Sequence, residues 1–471
     1  MEQPPGSTRR EAVMAGLAYR YLLVLLLAVI FAFNLSDLWA MGMSLQSIKH
    51  DLLLNDTELG FVSGLAFSFF YSAFGVPMGR WADRGNRVSI ISVTRLVWSA
   101  FVLLTGKAGS FAQLLVARMG AGVGEAGCLP PAYSLISDYF LRTERPQAMG
   151  LFFMSGPFSM LVGYMGIGWL LEYYSWRSVF ELIGLSGVVL APLAWLTLRE
   201  PRRRRSVQGE ISPEMGTAEQ HAATGSAGSG VPPSISGALR CLGANGTYRN
   251  LTAAIVANYI FGGGVFQWLP AYFMRSFGLK SGMLGLALAM VIGIPGILGN
   301  MVGGRIASRR AGGNERLQLV IVAALNCSLG LLMPLVYLSH SYLVALGLLA
   351  LWTLAGSLCN PPIMSAMQLA VPPRLRGTSI MLTFFFANLI GSGLGPIAVG
   401  ALSDALRPVF GADSLRYALL IMCPWYLWGG WHLWRASKCV LRDIESAESL
   451  EEAAARKGAM PQLNAAHSPE S

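Results

Sequence analysis

The sequence predicts an all-α polytopic membrane protein with twelve transmembrane helices in two pseudo-symmetric six-helix bundles. Three observations carry this. Of 471 residues 54% are hydrophobic and only 13% charged, with a mean hydropathy of +0.50, whereas a soluble globular domain carries about 25% charged residues. Apolar segments recur at 21–43, 58–79, 89–108, 112–137, 147–171 and 178–198, then at 248–274, 283–304, 317–338, 342–368, 377–402 and 416–437; about 20 residues suffice to cross a bilayer. Finally, Gly79-Arg80-Trp81-Ala82-Asp83-Arg84, between spans 2 and 3, lines up with Gly304-Arg305-Ile306-Ala307-Ser308-Arg309 between spans 8 and 9. Two homologous halves related by an axis normal to the membrane are a transporter architecture.

Residues 1–20 form a polar N-terminal tail, and the run Tyr21 to Ala40 lacks a small-residue cleavage site, so it reads as a retained first span. The N-terminal bundle occupies 21–198. Residues 199–247 open with the basic run REPRRRR and continue through GTAEQHAATGSAGSG, which cannot bury enough apolar surface to fold and is expected to be a flexible linker. The C-terminal bundle follows at 248–440, and 441–471 is expected to be a Glu/Ala-rich, helix-like extension with a disordered end.

An even number of spans puts both termini and the linker on one side. The loops of that side hold Arg80, Arg84, Arg87, Arg142, Arg145, Arg305, Arg309, Arg310, Arg374 and Arg376; the opposite loops hold Lys49, Lys107, Arg177, Arg275, Lys280, Arg407 and Arg416. Lys/Arg-rich loops are the cytoplasmic ones, so the termini are expected in the cytoplasm and the chain in a cell membrane (inner or plasma). The net charge of +10 is then explained by topology and anionic headgroups, with no nucleic-acid partner. Cysteines 128, 241, 327, 359, 423 and 439 show no paired spacing, and four of them fall inside apolar segments; the expected reading is buried free thiols behaving as small hydrophobes, not a disulfide framework or zinc site.

Span 4 contains ARMGAGVGEAG, residues 117–127. Its G-x-G-x-x-G string lacks the strand and βαβ unit that a nucleotide loop requires. At about 100° per residue, Arg118 and Glu125 lie within about 20° of each other and roughly 10 Å apart along the axis. Gly120, Gly124 and Gly127 cluster near the opposite side, where they permit close helix packing. A charge at the bilayer centre costs about 2.5–3.5 kcal/mol, so such residues face a partner or a cavity. Asp37 is the acid inside span 1, with Asn34 on its face. Burial there favours the neutral acid while a nearby Arg118 favours the carboxylate, the tension a protonation switch requires. Asp37, Glu125 and Arg118 are therefore the candidate proton-coupling residues. Arg95, near the cytoplasmic end of span 3, is expected to snorkel toward the headgroups. Asn55-Asp-Thr fits a glycosylation sequon in the first outer loop.

The string Gly79-x-x-Ala-Asp83-Arg84-x-x-Arg87 matches the signature loop of the major facilitator superfamily, which the chain resembles over spans 1–12. Arg118 followed by GVGEAG, PPAYSLISDYF with Arg145 after it, VPPRLRGTS and NLIGSGLGPIAVGALSD resemble more narrowly the Spinster family of lysolipid and sphingolipid-phosphate transporters. One departure is that the family pattern has an Asp followed directly by Arg in span 1, whereas Asp37 is followed by Leu38. The resemblance implies a gating latch in which Asp83, with Gly79, Arg84 and Arg87, meets the start of span 11 near Gly377, an aspartate accepting hydrogen bonds from a helix N-terminus.

The C-terminal bundle has no charge well inside its spans. It offers Asn258, Tyr259, Phe266, Gln267 and Trp268 in span 7, Asn360-Pro361-Pro362 in span 10, where the prolines are expected to break or kink the helix, and Thr383 to Phe386 with Asn388 in span 11. With Asn34, Arg118 and Glu125, the residues Asn258, Gln267, Trp268, Asn360, Thr383, Phe384 and Asn388 are the candidate substrate-binding set. A cavity charged on one side and apolar-aromatic on the other suits an amphiphile. The expected function is a proton-coupled secondary transporter working by alternating access; the resemblance implies a lysophospholipid-like or other amphiphilic organic anion. The alternative is an exporter or symporter of a small organic anion or drug; Gly156-Pro157 in span 5 is similar to antiporter signatures, although Gly-rich packing explains it as well. A non-transporting sensor on a transporter scaffold would need an appended signalling domain, which the short tail does not supply. No nucleotide loop, metal cluster or nucleophile–base pair supports an enzyme. No cofactor is expected, and the partners are bilayer lipids, a small or lipid-like substrate and protons, on a monomer.

Overall fold

The computed structural model describes residues 7–140, 144–200, 235–310, 314–372 and 375–465, with the side chains at 7–15, 83, 146, 235–236, 238, 304, 306–310 and 450–465 excepted. The chain is all-helical over these residues, and twelve helical segments cross the membrane. Nine stretches are long and apolar enough on their own, the last, Arg376–Ser449, holding two crossings. Spans 4 and 7 complete the set. Span 4 is broken into Phe111–Ala126 and Leu129–Tyr139, and span 7, Gly246–Phe277, is diluted by Asn250, Asn258 and Gln267. Below, the side bearing the termini and the 199–247 connection is the linker side, and the other is the far side.

Local chemistry sets the helix ends. Side chains of Asn86, Ser110, Ser175, Asn245 and Asn314 accept hydrogen bonds from backbone N–H groups of the helices they precede. Asn55 does the same for Asp56–Ser63, with Glu58 returning the bond in a capping box. The residue that fits a sequon thus holds a helix start. Spans 8 and 11 each carry a π-helical insertion, Ala289–Gly293 and Ala387–Ser392, a distortion that a 3.6-residue period does not reveal.

Several boundaries differ from expectation. Residues 235–244 of the predicted linker are helical, and Thr247 and Leu242 are buried; 201–234 lie outside the described residues. Glu200, read as linker, is held against the N-terminal bundle. The N-terminal tail is helical from Ser7, continuous with span 1, and the C-terminal extension is one helix from Pro424 to Ala465, its disordered end at 466–471 lying outside the described residues. Span 10 runs unbroken from Tyr342 to Leu369 through Pro361 and Pro362. Neighbouring helices in a bundle offer enough packing to hold a proline-containing helix together.

The glycine face of span 4 packs on span 3. A Cβ on Gly120 would enter the Phe101 ring, one on Gly124 the Trp98 backbone, and one on Gly127 the Thr94 side chain. The two halves meet through span 1 with 7, span 2 with 11 and span 5 with 8. Gly60 abuts Pro396 and Gly168 abuts Gly285, both toward the far side. Glycine at 124 is thus a packing requirement. We expect Gly124→Ala to lower stability by about 1–3 kcal/mol, the usual cost of overpacking. Gly150→Ala, where a Cβ meets open space, should leave thermal melts of the purified protein unchanged or slightly raised.

Candidate substrate and proton site

A cavity of about 630 Å³ lies between the halves. It reaches from Trp39 and Pro396, nearer the far side, to Asn300 and Ile363, nearer the linker side. The N-terminal wall is Phe31, Leu35, Leu38, Trp39, Phe67, Tyr71, Glu125 and the Gly156-Pro157 step. The C-terminal wall carries the amides of Asn258, Gln267, Asn300, Asn326, Asn360 and Asn388 among Tyr259, Phe266, Trp352 and Tyr426. Both π-helical insertions open onto it, at Ile292-Gly293 and at Asn388 and Ser392. Irregular helical backbone inside a membrane is tolerated where it lines a cavity.

Behind the N-terminal wall sits a buried polar cluster. Arg118 Nη1 donates to both oxygens of Asp37, at 2.9 and 2.7 Å, with both side chains fully buried. The guanidinium lies 5.1 Å from the Phe67 ring centroid, and Phe67 stacks on Tyr71 at 5.9 Å. These rings separate the ion pair from the cavity. Arg95 does not snorkel. It is 3% exposed, donates to Asn34 Oδ1 and the Ile30 carbonyl, and stacks 3.9 Å above Trp98. The Asn34 carbonyl and the backbone of span 1 supply acceptors inside the bundle that headgroups would otherwise provide. Glu125 is 5% exposed, and its Oε2 has no hydrogen-bond partner.

The candidate substrate set is therefore divided. Glu125, Asn258, Gln267, Asn360 and Asn388 line the cavity. Asn34 and Arg118 do not, being engaged by Arg95 and Asp37. Trp268 is fully buried and donates to the Pro396 carbonyl at 3.0 Å. Thr383 is buried against Thr252, and Phe384 packs edge-on against Tyr259, 6.2 Å between centroids. Arg118 and Glu125 share a face of span 4, as their helical angles imply, and Asp37 of span 1 meets them there. Sequence reasoning passed over Asn300 and Asn326, amides in apolar runs that were a readable signal, and Trp39, Tyr71 and Trp352, which a sequence cannot tell from core aromatics. Leu38, standing where the resembled pattern has arginine, adds apolar surface.

The latch set is also divided. The Asp83 side chain lies outside the described residues. Arg84 is exposed, and Gly79 and Gly377 face open space. Arg87 belongs to a lock within the N-terminal bundle. Its backbone N–H and guanidinium bond Glu200, and its Nη1 donates to Asp138 at 2.6 Å and Ser134 at 2.9 Å. Strong links between the halves lie on the far side. Asp56, starting span 2, accepts two bonds from Arg275 of span 7, at 2.7 and 2.8 Å, one from Ser403 of span 11 at 2.6 Å and one from Lys49 at 2.5 Å. Asp404 of span 11 accepts from the N–H groups of Asp56 and Thr57 and from the Thr57 hydroxyl, at 3.1, 2.7 and 2.7 Å. An aspartate thus caps the positive end of a helix from the opposite half, and the far side is closed.

The chain belongs to the Major Facilitator Superfamily, whose model matches residues 25–396. It is a secondary transporter of that family and not an enzyme. It is 29% identical to an MFS-type efflux pump of Mycolicibacterium smegmatis, over 89% of this chain and 92% of that protein. It is 24% identical to the cis,cis-muconate transport protein of Acinetobacter baylyi, over 80% and 87%. Among solved structures it resembles a bacterial homolog of the human lysosomal transporter Spinster in an inward-facing, unoccupied conformation, with TM-score 0.74, 25% identity and coverage of 90% and 98%.

Removing one member of a buried ion pair leaves the other uncompensated, at a cost of about 3–5 kcal/mol. We expect Arg118→Ala to destabilise the protein by that order in thermal melts, and the joint change Asp37→Leu with Arg118→Met to recover most of it.

Proposed function

We propose that the chain is a proton-linked exporter of an amphiphilic organic solute, Spinster-like in kind, with its linker side in the cytoplasm and its solute bound in the cavity beside Glu125. The observation that carries this reading is one buried carboxyl, with an oxygen that has no hydrogen-bond partner, on the wall of an otherwise neutral, aromatic cavity, backed by the Asp37–Arg118 pair. Intramembrane acids mark ion pathways. Solute entering from the linker side meets ionised Glu125; a proton arriving from the far side in the opposite state neutralises it and favours release. Protonation of Asp37 would loosen Arg118 and couple the same event to the packing of spans 1 and 4. The similarity to an efflux pump supports export. So does Gly156-Pro157, which faces the cavity with no neighbour within 4 Å of where a Gly156 side chain would begin, so close packing does not account for it. The excess of Lys and Arg on the linker side supports its cytoplasmic placement.

Alternation follows from spans 2 and 11. On the far side Asp404 caps the start of span 2. On the linker side the corresponding role falls, on this reading, to Asp83, which would cap the start of span 11 near Gly377 when that side closes. The same helix pair would then latch at one end or the other.

In proteoliposomes, lysophosphatidylcholine should move in response to an imposed pH gradient. Asp37→Asn and Glu125→Gln should each cut the gradient-driven rate about tenfold or more, with solute–solute exchange retained. Movement of cis,cis-muconate with the lysolipid inert would overturn the substrate reading, and full gradient dependence in Glu125→Gln would remove that residue from coupling. For the far-side latch, Arg275→Ala should raise the labelling rate of a Ser63→Cys cavity probe by an impermeant maleimide added outside. An unchanged rate would sink the latch.

A further inference from the structure

The cavity wall has a sign. Among the described residues, Glu125 is the one lining it that carries a formal charge when Tyr and Cys are neutral. The nearest cations are turned away. Arg118 is bound to Asp37 behind the Phe67 ring, and Arg95 is bound to Asn34 against Trp98. Neither reaches the cavity surface. Around Glu125 stand Asp37 from span 1, Tyr71 from span 2, Arg95 and Trp98 from span 3, and Arg118 and Cys128 from its own helix. With Glu125 and Asp37 ionised against the two arginines this cluster is formally neutral, but Arg118 is paired with Asp37 and Glu125 is the carboxyl that stands on the cavity surface with no ion-pair partner of its own.

Glu125 Oε2, Asn258 Oδ1 and Asn326 Oδ1 are acceptors without partners, and Gln267 Nε2, Trp39 Nε1 and Trp352 Nε1 are neutral donors without partners; all six residues line the cavity, so its uncharged groups serve either sign and the charge on Glu125 decides. Trp39, Tyr71 and Trp352 line the same cavity, and aromatic faces attract cations. An anion brought here would meet a carboxyl and no compensating charge.

We propose that the cavity selects solutes presenting a positive charge on an apolar body, an organic cation or the cationic end of a zwitterion, and rejects anions of the same shape. This replaces the anionic amphiphile expected from the sequence. The solute's charge occupies the place that a proton takes on Glu125, so that solute and proton exclude each other. The inference rests on the cavity of the proposed function, but its test is binding alone and can fail while proton-driven transport stands.

Tetraphenylphosphonium and tetraphenylborate have one shape and opposite charge. Equilibrium dialysis against the purified full-length protein should show the phosphonium bound at mildly alkaline pH and about tenfold or more weaker at mildly acidic pH, with the borate weaker than the phosphonium at alkaline pH. Glu125→Gln should lower phosphonium affinity about tenfold and remove the pH dependence, whereas Glu125→Asp, which keeps the charge, should retain it. Borate binding as tight as phosphonium binding, or unchanged phosphonium affinity and pH dependence in Glu125→Gln with its thermal melt intact, would overturn the proposal.

Discussion

The pairing of Asp37 with Arg118 is the constraint from which the N-terminal bundle is organised. Each charge alone would cost about 2.5–3.5 kcal/mol at the centre of a bilayer even on a mild scale, so spans 1 and 4 must hold the two side chains face to face. Span 4 reaches that position by lying against span 3 through Gly120, Gly124 and Gly127. Span 3 brings Arg95 and Trp98 into the same interior, where Asn34 of span 1 accepts from Arg95 Nη1. Three helices are thereby fixed by one polar cluster, and Phe67 and Tyr71 of span 2 close it off from the cavity. Glu125, two turns along span 4 from Arg118, is the member of the cluster that reaches the cavity wall.

The junction between halves rests on a different principle. It is built from close backbone contact at small residues, Gly60 on Pro396 and Gly168 on Gly285, reinforced by charges at helix ends. Small-residue contacts are flat and lack side chains to interlock, so they can part without breaking an interdigitated core. The specificity of the closed arrangement comes from Asp56, Arg275, Ser403 and Asp404. Such bonds, between groups at the rim of the membrane, can be exchanged for water when the far side opens.

Much of this was legible in the sequence. The number of spans and the shared face of Arg118 and Glu125 followed from segment length and helical angle, and Asp37 stood out as an acid inside span 1, because a membrane makes burial of charge expensive and therefore conspicuous. What failed to read were partners. A helical wheel gives a residue's direction but not whether a ring stands before it, which is why Arg118 was expected in the cavity. Arg95 was expected at the headgroups because nothing local shows that Asn34 and Trp98 would receive it. Trp268 and Thr383 lie among residues that do line the cavity, but π-helical turns and helix packing decide which face of spans 7 and 11 looks inward. Arg87 belongs to the signature loop, which points to a latch, and its acceptor, Glu200, stands in a run whose composition resembles linker, so the lock within the N-terminal bundle does not show.

The two walls of the cavity differ in how they are made, and the difference bears on division of labour. The N-terminal wall gains its character from one carboxyl connected to an ion pair, a cluster whose charge state can change. The C-terminal wall is built from amides, rings and two π-helical turns in spans 8 and 11, with Pro361 and Pro362 removing two N–H donors from span 10. Nothing in that wall changes charge in the ordinary pH range, so it offers a fixed surface to the body of a solute. Under the proposed reading, energy enters through the N-terminal half and shape recognition resides in the C-terminal half. A solute must touch both to be carried, since a ligand with equal affinity for the two states moves no equilibrium between them. The position of Glu125, on the seam between a titratable cluster and a static wall, is what allows one bound molecule to be sensed by both.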